Sequence, residues 1–141
     1  EKSKTDYSKI IFHSRRCNGI CPSISMEIDS CGNIYTHREF YITKSKIDSV
    51  HSGCFKGTLS KEEKNRLTEL LNTCSLDRLE CPKSKSVDLP VTTLIVYYNN
   101  KRKSLISDSI PDKADELIEF LYYIGTYKKL ERTEEIRTLE F

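Results

Sequence analysis

The sequence predicts an α+β domain in which an antiparallel β-sheet, built from hairpins, carries two helices packed on one face. Three observations lead to this fold class. Segments with strand-like alternation come in pairs joined by short turn sequences, which is typical of hairpins. Two other segments repeat apolar residues at helical spacing. The helical segments follow runs of strands instead of alternating with single strands, which favours an antiparallel sheet.

Four strands are expected before the first helix, at 9–13, 23–29, 34–42 and 50–58. The second of them alternates strictly, so Ile24, Met26 and Ile28 should face one side of a half-buried strand. Gly32 can adopt the positive φ of a tight turn and predicts a hairpin between the second and third strands. Gly53 interrupts the fourth strand and predicts a bulge there.

The first helix has a clear start signal. Ser60 and Glu63 have the S-x-x-E spacing of a capping box, in which each residue satisfies a free backbone N–H of the other. The apolar stripe that follows consists of Leu67, Leu70, Leu71 and Cys74. Because this stripe is short, the helix must pack on another element to be stable.

Residues 91–98 are apolar at neighbouring positions, which predicts a central strand covered on both faces. A turn at 99–101 leads into a partner strand at 102–107. The second helix is expected to begin near Pro111, a residue suited to the first helical position. Its buried face should comprise Ala114, Leu117, Ile118, Leu121 and Ile124. Gly125 is predicted to end it in a left-handed conformation.

The length of 141 residues fits a single domain, which we place at 9–127. A flexible lead-in at 1–8 is expected before it. Charged residues dominate the segment 128–141, which is interpreted as a polar tail or an edge strand.

The charge pattern restricts the partners. The 23 basic and 21 acidic residues are interspersed and give a net charge of +2, without the basic stripe of a nucleic-acid binder. No apolar run approaches the ~20 residues of a membrane span, and the first residues lack the apolar core of a secretory leader. We expect no nucleic-acid partner and no transmembrane segment. Whether a leader or lipid-anchor segment was removed stays open, because the chain does not begin with methionine.

Six cysteines are many for a reducing compartment, and their even number suits disulfides. Cys17 and Cys21 flank Gly19, and this spacing allows three interpretations. It matches half of a zinc site, but a second half is missing. A redox pair requires a helix start, whereas Cys21 precedes a strand. A structural disulfide needs only a tight loop, and we favour it. We also expect a second bridge between Cys74 and Cys81, which flank one irregular connection.

No hydrolase or nucleotide-binding motif is present. The sequence lacks the G-x-S-x-G elbow, the phosphate loop and the dinucleotide fingerprint. The tyrosines at 97, 98, 122, 123 and 127 suggest either a binding face or core positions with hydroxyls at the edge, and we favour the core. We therefore expect no catalytic residue, no metal and no cofactor.

Several motifs together resemble one family: CNGICP at 17–22, IDSCGNIY at 28–35, KGTLS at 56–60, DLP at 88–90 and LIVYYNNK at 94–101. The resemblance is to an uncharacterised bacterial domain-of-unknown-function family with a C-x-G-x-C-P signature near its start, over about residues 9–125. The positions that match its motifs are Cys17, Gly19, Cys21, Pro22, Gly32, Tyr35 and Asp88. The resemblance implies a bacterial protein, often exported or lipid-anchored, with no established activity.

We therefore expect a non-enzymatic, exported binding or interaction module of the bacterial cell envelope, in the periplasm or associated with the envelope. Its partner would be an unknown protein or a small-molecule ligand. The alternative is an enzyme with a thiol-redox or metal-dependent site built on Cys17 and Cys21.

Overall fold

The computed structural model describes residues 6–14, 21–80, 91–108 and 110–141. Within these ranges the strands are β1 (Tyr7–Ser14), β2 (Ser23–Asp29), β3 (Asn33–Thr43), β4 (Lys46–Thr58), β5 (Thr92–Tyr98), β6 (Lys101–Ser107) and β7 (Glu131–Arg132). The α-helices are α1 (Lys61–Thr73) and α2 (Asp115–Thr126). Short 3-10 helices occupy Leu76–Arg78 and Asp112–Ala114.

The seven strands in the described part of the chain form one antiparallel sheet in the order β6-β5-β1-β2-β3-β4-β7. The α+β class and the antiparallel sheet predicted from the hairpin pattern are confirmed. Each hairpin places its strands side by side, and the β5–β6 hairpin joins the sheet through β1.

Alternate strand residues build the core between the sheet and the helices. We call this side of the sheet the helix face. Its buried apolar residues are Ile10, Phe12, Ile24, Met26, Ile28, Ile34, Leu94 and Val96. The strict alternation of β2 is confirmed, since its three apolar residues are all buried. A fully buried side chain of this type contributes roughly 1.5–3 kcal/mol relative to an exposed one.

The capping box of α1 is confirmed. Glu63 N–H donates to Ser60 Oγ at 3.1 Å, and Ser60 N–H donates to Glu63 Oε1 at 2.8 Å. The predicted stripe then turns inward, with Leu67, Leu70 and Leu71 buried. The start signal and the apolar spacing therefore both point to the observed helix.

The predicted stop of α2 at Gly125 is wrong. Gly125 lies inside the helix without a positive φ, and α2 continues to Thr126. A Cβ at Gly125 would lie 3.0 Å from Ile24 Cγ2, so glycine allows a close approach of α2 to β2. The start near Pro111 is displaced by the short 3-10 helix at Asp112–Ala114.

The turn predicted at Gly32 and the bulge predicted at Gly53 are both confirmed. Gly32 has φ +85° in the turn between β2 and β3, and Gly53 has φ +125°. The β3–β4 register is irregular next to Gly53, as a bulge requires. In the β5–β6 turn, Asn99 and Asn100 both have positive φ, the conformation of a two-residue hairpin loop.

Strand β5 is covered on both faces, as predicted: Ile95 and Val96 are fully buried although they point to opposite sides. It is not central, however, because only β6 separates it from the edge of the sheet. β1 begins at Tyr7, within the expected lead-in. No helix in the described ranges has the length and apolarity needed to cross a membrane.

Candidate binding face of the sheet

Residues 133–141 lie across the sheet on the side opposite the helices. We call these residues the strap and this side of the sheet the strap face. The strap has no helix or strand of its own. Its contacts follow the order of the strands: Cys54 and Lys56 on β4, Tyr35 on β3, Glu27 on β2, His13 on β1, Tyr97 on β5 and Arg102 on β6. The strap therefore crosses six strands instead of pairing with one.

The strap face has an apolar centre within polar surroundings. Ile11 and Ile95, which are register partners on β1 and β5, are 0% exposed. Tyr35, Thr93 and His13 are buried as well. Because an open sheet face would leave these residues accessible to water, their burial depends on the cover.

His13 binds the backbone of the strap. Its Nε2 lies 2.6 Å from the carbonyl oxygen of Glu140, and its Nδ1 lies 2.9 Å from Ser25 Oγ. A carbonyl only accepts, so Nε2 carries the hydrogen. In the neutral ring, Nδ1 then accepts from the Ser25 hydroxyl. The Phe141 ring stacks on the imidazole with centroids 4.4 Å apart.

Tyr35 binds the strap backbone at a second point. Its hydroxyl oxygen accepts the N–H of Arg137 at 3.0 Å. The hydroxyl hydrogen is within reach of the Glu135 carbonyl at 3.1 Å and of Cys54 Sγ at 3.2 Å. Burial, followed by the contact with Cys54, raises the pKa of the Tyr35 phenol. The hydroxyl therefore stays protonated and remains a donor.

Two glutamates of the strap contact cations of the sheet. Lys56 Nζ lies 2.6 Å from Glu135 Oε1. Arg102 Nε and Nη2 lie 3.0 and 2.5 Å from Glu140 Oε2. The Tyr97 hydroxyl donates to the other oxygen of Glu140. Donor groups of histidine, tyrosine, lysine and arginine side chains therefore hold an acidic, extended segment.

These contacts lower the pKa values of both carboxyl groups. The hydrogen bond from Lys56, followed by that from Arg137, lowers the pKa of Glu135. The Tyr97 hydroxyl, followed by Arg102, lowers the pKa of Glu140. Both glutamates are therefore held in the ionised form when the strap is in place.

One contact has the opposite polarity. Arg137 Nη1 of the strap lies 3.2 Å from Glu27 Oε2 of the sheet, and its guanidinium carbon lies 5.0 Å from the Tyr35 ring centroid. A cleft of about 640 Å³ opens beside this pair, between β4 and residues 129–131, which precede the strap. Glu135, Glu140 and Arg137 of the strap thus each meet a group of opposite charge on the sheet.

The structure tests only part of the predicted cysteine set. Cys21 is disulfide-bonded. Cys31, Cys54 and Cys74 are free thiols, so none of them is its partner and a framework of three disulfides is not formed. The predicted positions Cys17, Gly19, Cys81 and Asp88 lie outside the described residues. The Cys17–Cys21 pairing therefore stays a prediction.

The predicted bridge between Cys74 and Cys81 is wrong, because Cys74 is free. Its side chain lies in the core at the end of α1 and is 1% exposed. The Sγ–H donates to the Leu71 carbonyl at 3.4 Å. Burial raises the pKa of this thiol, which makes it an inert core residue.

The other predicted positions lie in different surroundings. Gly32 forms the β2–β3 turn, and Pro22 lies just before β2. Tyr35 is the family-motif position that reaches the strap face. The tyrosines do not form one surface, since Tyr97 contacts the strap, Tyr98 is in the core and Tyr127 is exposed. Within the described ranges, no group of three histidine, cysteine or acidic residues is arranged to hold a metal ion.

Sequence reasoning predicted that β5 is covered on both faces but missed the strap as the second cover. The signal was present in β1 and β5, where Ile11 and Ile95 are apolar on the side that the helices do not cover. A second cover is required wherever both sides of a strand are apolar. The sequence does not indicate which segment supplies it, because the strap is charged and lacks strand alternation.

The family model of DUF6438, a domain of unknown function, matches residues 8–128. This match covers most of the chain, which therefore belongs to the DUF6438 family. No curated protein and no solved structure matches it. The matched region includes the strap face and ends before β7 and the strap.

Proposed function

We propose that this DUF6438 domain is a non-enzymatic binding module that holds an extended polypeptide segment on its strap face. The observation that carries the proposal is the contact of His13 and Tyr35 with the backbone carbonyls of Glu140 and Glu135. Backbone contacts recognise an extended chain whatever its side chains are. The strap occupies this surface in the manner of an intramolecular ligand.

A strap-displaced variant of the full chain tests the proposal. Replacing Glu135 and Glu140 by lysine sets like charges against Lys56 and Arg102 and should release the strap. The probe is a fluorescently labelled synthetic peptide with the sequence of residues 133–141. We expect a saturable rise in anisotropy with the E135K/E140K variant. Peptide that stays unbound to a folded variant would overturn the proposal.

A matched variant shows where the peptide binds. In E135K/E140K carrying Tyr35→Phe, the phenol that bonds Glu135 O and Arg137 N is missing, while the buried ring remains. The peptide should bind this triple variant more weakly. Tyr127→Phe changes an exposed tyrosine of the helix side and should leave peptide binding unchanged.

We also propose that the module acts in the bacterial cell envelope after export. The resemblance to a family whose members are often exported supports this location, and the bonded state of Cys21 suits an oxidising compartment. Fractionation of the native bacterium with an antibody to the protein tests it. Recovery with cytoplasmic markers alone would contradict export.

The disulfide between Cys17 and Cys21 is part of this proposal. Peptide mapping without reductant, after alkylation of free thiols, should recover the two cysteines in one bonded fragment. Alkylation of both cysteines would contradict the pairing and would favour the alternative, a thiol-redox or metal-dependent site built on these two residues. Metal released by a chelator would identify the latter.

A further inference from the structure

From the strap contacts we infer the chemistry of the partner: an extended acidic segment with two carboxylates five residues apart and an aromatic residue directly after the second. This inference rests on the proposed function and states which polypeptide segments the strap face would select. Glu135, Glu140 and Phe141 supply these three features in the strap. The partner would take their places once the strap leaves.

The first carboxylate position is set by β4. Lys56 Nζ contacts Glu135 at 2.6 Å, and both side chains are about two-fifths exposed. Cys54 O accepts the N–H of Thr133 at 2.9 Å, which fixes the direction in which the segment enters the face. A carboxylate two residues after this anchor therefore reaches the lysine.

The second carboxylate position is more selective. Two nitrogens of Arg102 and the Tyr97 hydroxyl converge on Glu140. Arg102 Nε also lies 3.2 Å from the Tyr97 hydroxyl oxygen, and Lys9 Nζ lies 5.0 Å from the centroid of the Tyr97 ring. A neutral amide would lose the charge-assisted part of these hydrogen bonds.

The aromatic position follows from His13. The imidazole is oriented by Ser25 and by the carbonyl of Glu140, so its face is presented to the next residue. Phe141 stacks on it at an interplanar angle of 29°. A flat ring at this position gains contact area that an aliphatic side chain lacks.

Intervening positions are under less constraint. Ile136 is 85% exposed, and Glu134 makes no ion pair among the described residues. Arg137 contacts Glu27 at 3.2 Å, so a basic residue two positions after the first carboxylate is compatible with the face. The two carboxylates and the ring therefore carry the selectivity.

The limits of the family match separate the face from its cover. His13, Tyr35, Lys56, Tyr97 and Arg102 lie inside the matched region, whereas the strap lies beyond it. The groups that recognise the segment thus belong to the family domain. In this chain the strap is an intramolecular competitor, and a partner must displace it.

Four labelled peptides compared on the folded E135K/E140K full chain test the inference: the 133–141 sequence, its Glu135→Gln/Glu140→Gln form, its Phe141→Leu form and its Glu134→Gln form. We expect the double glutamine peptide to bind about fivefold to thirtyfold more weakly, since two partly exposed ion pairs are lost. The leucine peptide should also bind more weakly. The Glu134→Gln peptide should match the parent within about twofold.

The outcomes distinguish the inference from the proposed function. Equal binding of the parent and double glutamine peptides would overturn the acidic specificity and leave a general peptide-binding face. No binding of any peptide would overturn both. Raised salt should weaken the parent peptide more than the glutamine peptide, because ionic contacts are screened.

Two controls keep the test decisive. The wild-type chain, with its strap in place, should bind the parent peptide more weakly than the displaced variant, and equal binding would contradict competition by the strap.

If the double lysine variant does not fold, Glu140→Lys alone takes its place, since it removes the selective end of the strap. Size-exclusion chromatography at the assay concentration must show a monomer; dimers formed by strap exchange would identify a second copy as the occupant and overturn a separate partner.

Discussion

The two faces of the sheet are covered by different means. The helix face is covered by two amphipathic helices whose leucines and isoleucines interlock with strand residues, as Leu71 and Leu121 do. The strap face is covered by nine residues that contact it mainly through hydrogen bonds and ion pairs. This difference is consistent with our proposal that the strap can be exchanged, whereas the helices hold the fold together.

Energetic magnitudes support this division. Truncating a buried leucine typically costs about 2–5 kcal/mol. A partly exposed ion pair, such as Lys56–Glu135 or Arg102–Glu140, contributes only ~0–1 kcal/mol. Losing the strap would also expose Ile11 and Ile95, but it would leave the larger core under the helices intact, so it should cost less than losing the packing of either helix.

The largest effect is expected in a pair of neighbouring residues on β5. Leu94 faces the helices and Ile95 faces the strap, and both are buried. We expect Leu94→Ala to cost about 3–5 kcal/mol, because the helix core cannot close around the cavity, and Ile95→Ala about 2–3 kcal/mol, because the strap can adjust. Urea denaturation measures both. A larger cost for Ile95 would reverse the comparison.

A pair of arginines should give the next largest difference. Arg38 is buried on the helix face and donates to His51 O at 2.9 Å and to Gly125 O and Thr126 O at the end of α2. Burial, followed by the charge of Arg132, lowers the pKa of Arg38. Arg38→Met should cost about 2–3 kcal/mol, because buried carbonyls lose their donor.

The matched substitution on the strap face is Arg102→Met, which should cost less than about 1 kcal/mol because the arginine is exposed. Thermal and urea unfolding of the two variants provide the comparison. Equal destabilisation would mean that the strap face contributes to stability as much as the helix face.

A smaller effect is expected at the start of α1. Ser60→Ala removes the side-chain half of the capping box and should cost about 1 kcal/mol. Ser60→Asp retains an acceptor and should restore most of the loss. An unchanged denaturation midpoint for the alanine variant would mean that the cap contributes nothing to α1.

Acid should release the strap with little effect on the fold. The pKa values of Glu135 and Glu140 are lowered from their ordinary value of 4.5 when the strap is in place, so ionised carboxylates favour docking. This contribution is fully present above pH 4.5 and is lost as the pH falls through the lowered values. Amide heteronuclear NOEs of the strap, measured against pH, should decrease only in that acidic range.

A glutamine variant is the control for this titration. The E135Q/E140Q variant should lose the acidic transition. An acidic transition that persists in this variant would contradict its assignment to the two carboxyl groups.

The helix face was predictable, whereas for the strap face only the need for a second cover of β5 was predictable, not the segment that supplies it. Short-range signals, such as the alternation of Ile24, Met26 and Ile28 and the cap at Ser60, are local in sequence and identify the core and α1. The contact between His13 and Glu140 spans 127 positions and involves a backbone carbonyl. Because every residue has such a carbonyl, the residue type at position 140 does not indicate this contact. Gly125 shows a related limit, because its role in close packing depends on Ile24 from a distant strand.

Native-state hydrogen exchange of single amides tests most directly whether the strap can leave the sheet while the rest of the domain stays folded. The Arg137 N–H, which is donated to Tyr35, reports on the strap, and the Val96 N–H reports on β5. We predict that the Arg137 amide exchanges by local opening, much faster than the Val96 amide and with little dependence on urea. In the E135K/E140K variant, exchange of the Arg137 amide should become faster while that of the Val96 amide stays unchanged. Exchange of Arg137 at the rate and urea dependence of Val96 would show that the strap opens only when the whole domain unfolds, and would contradict an exchangeable cover.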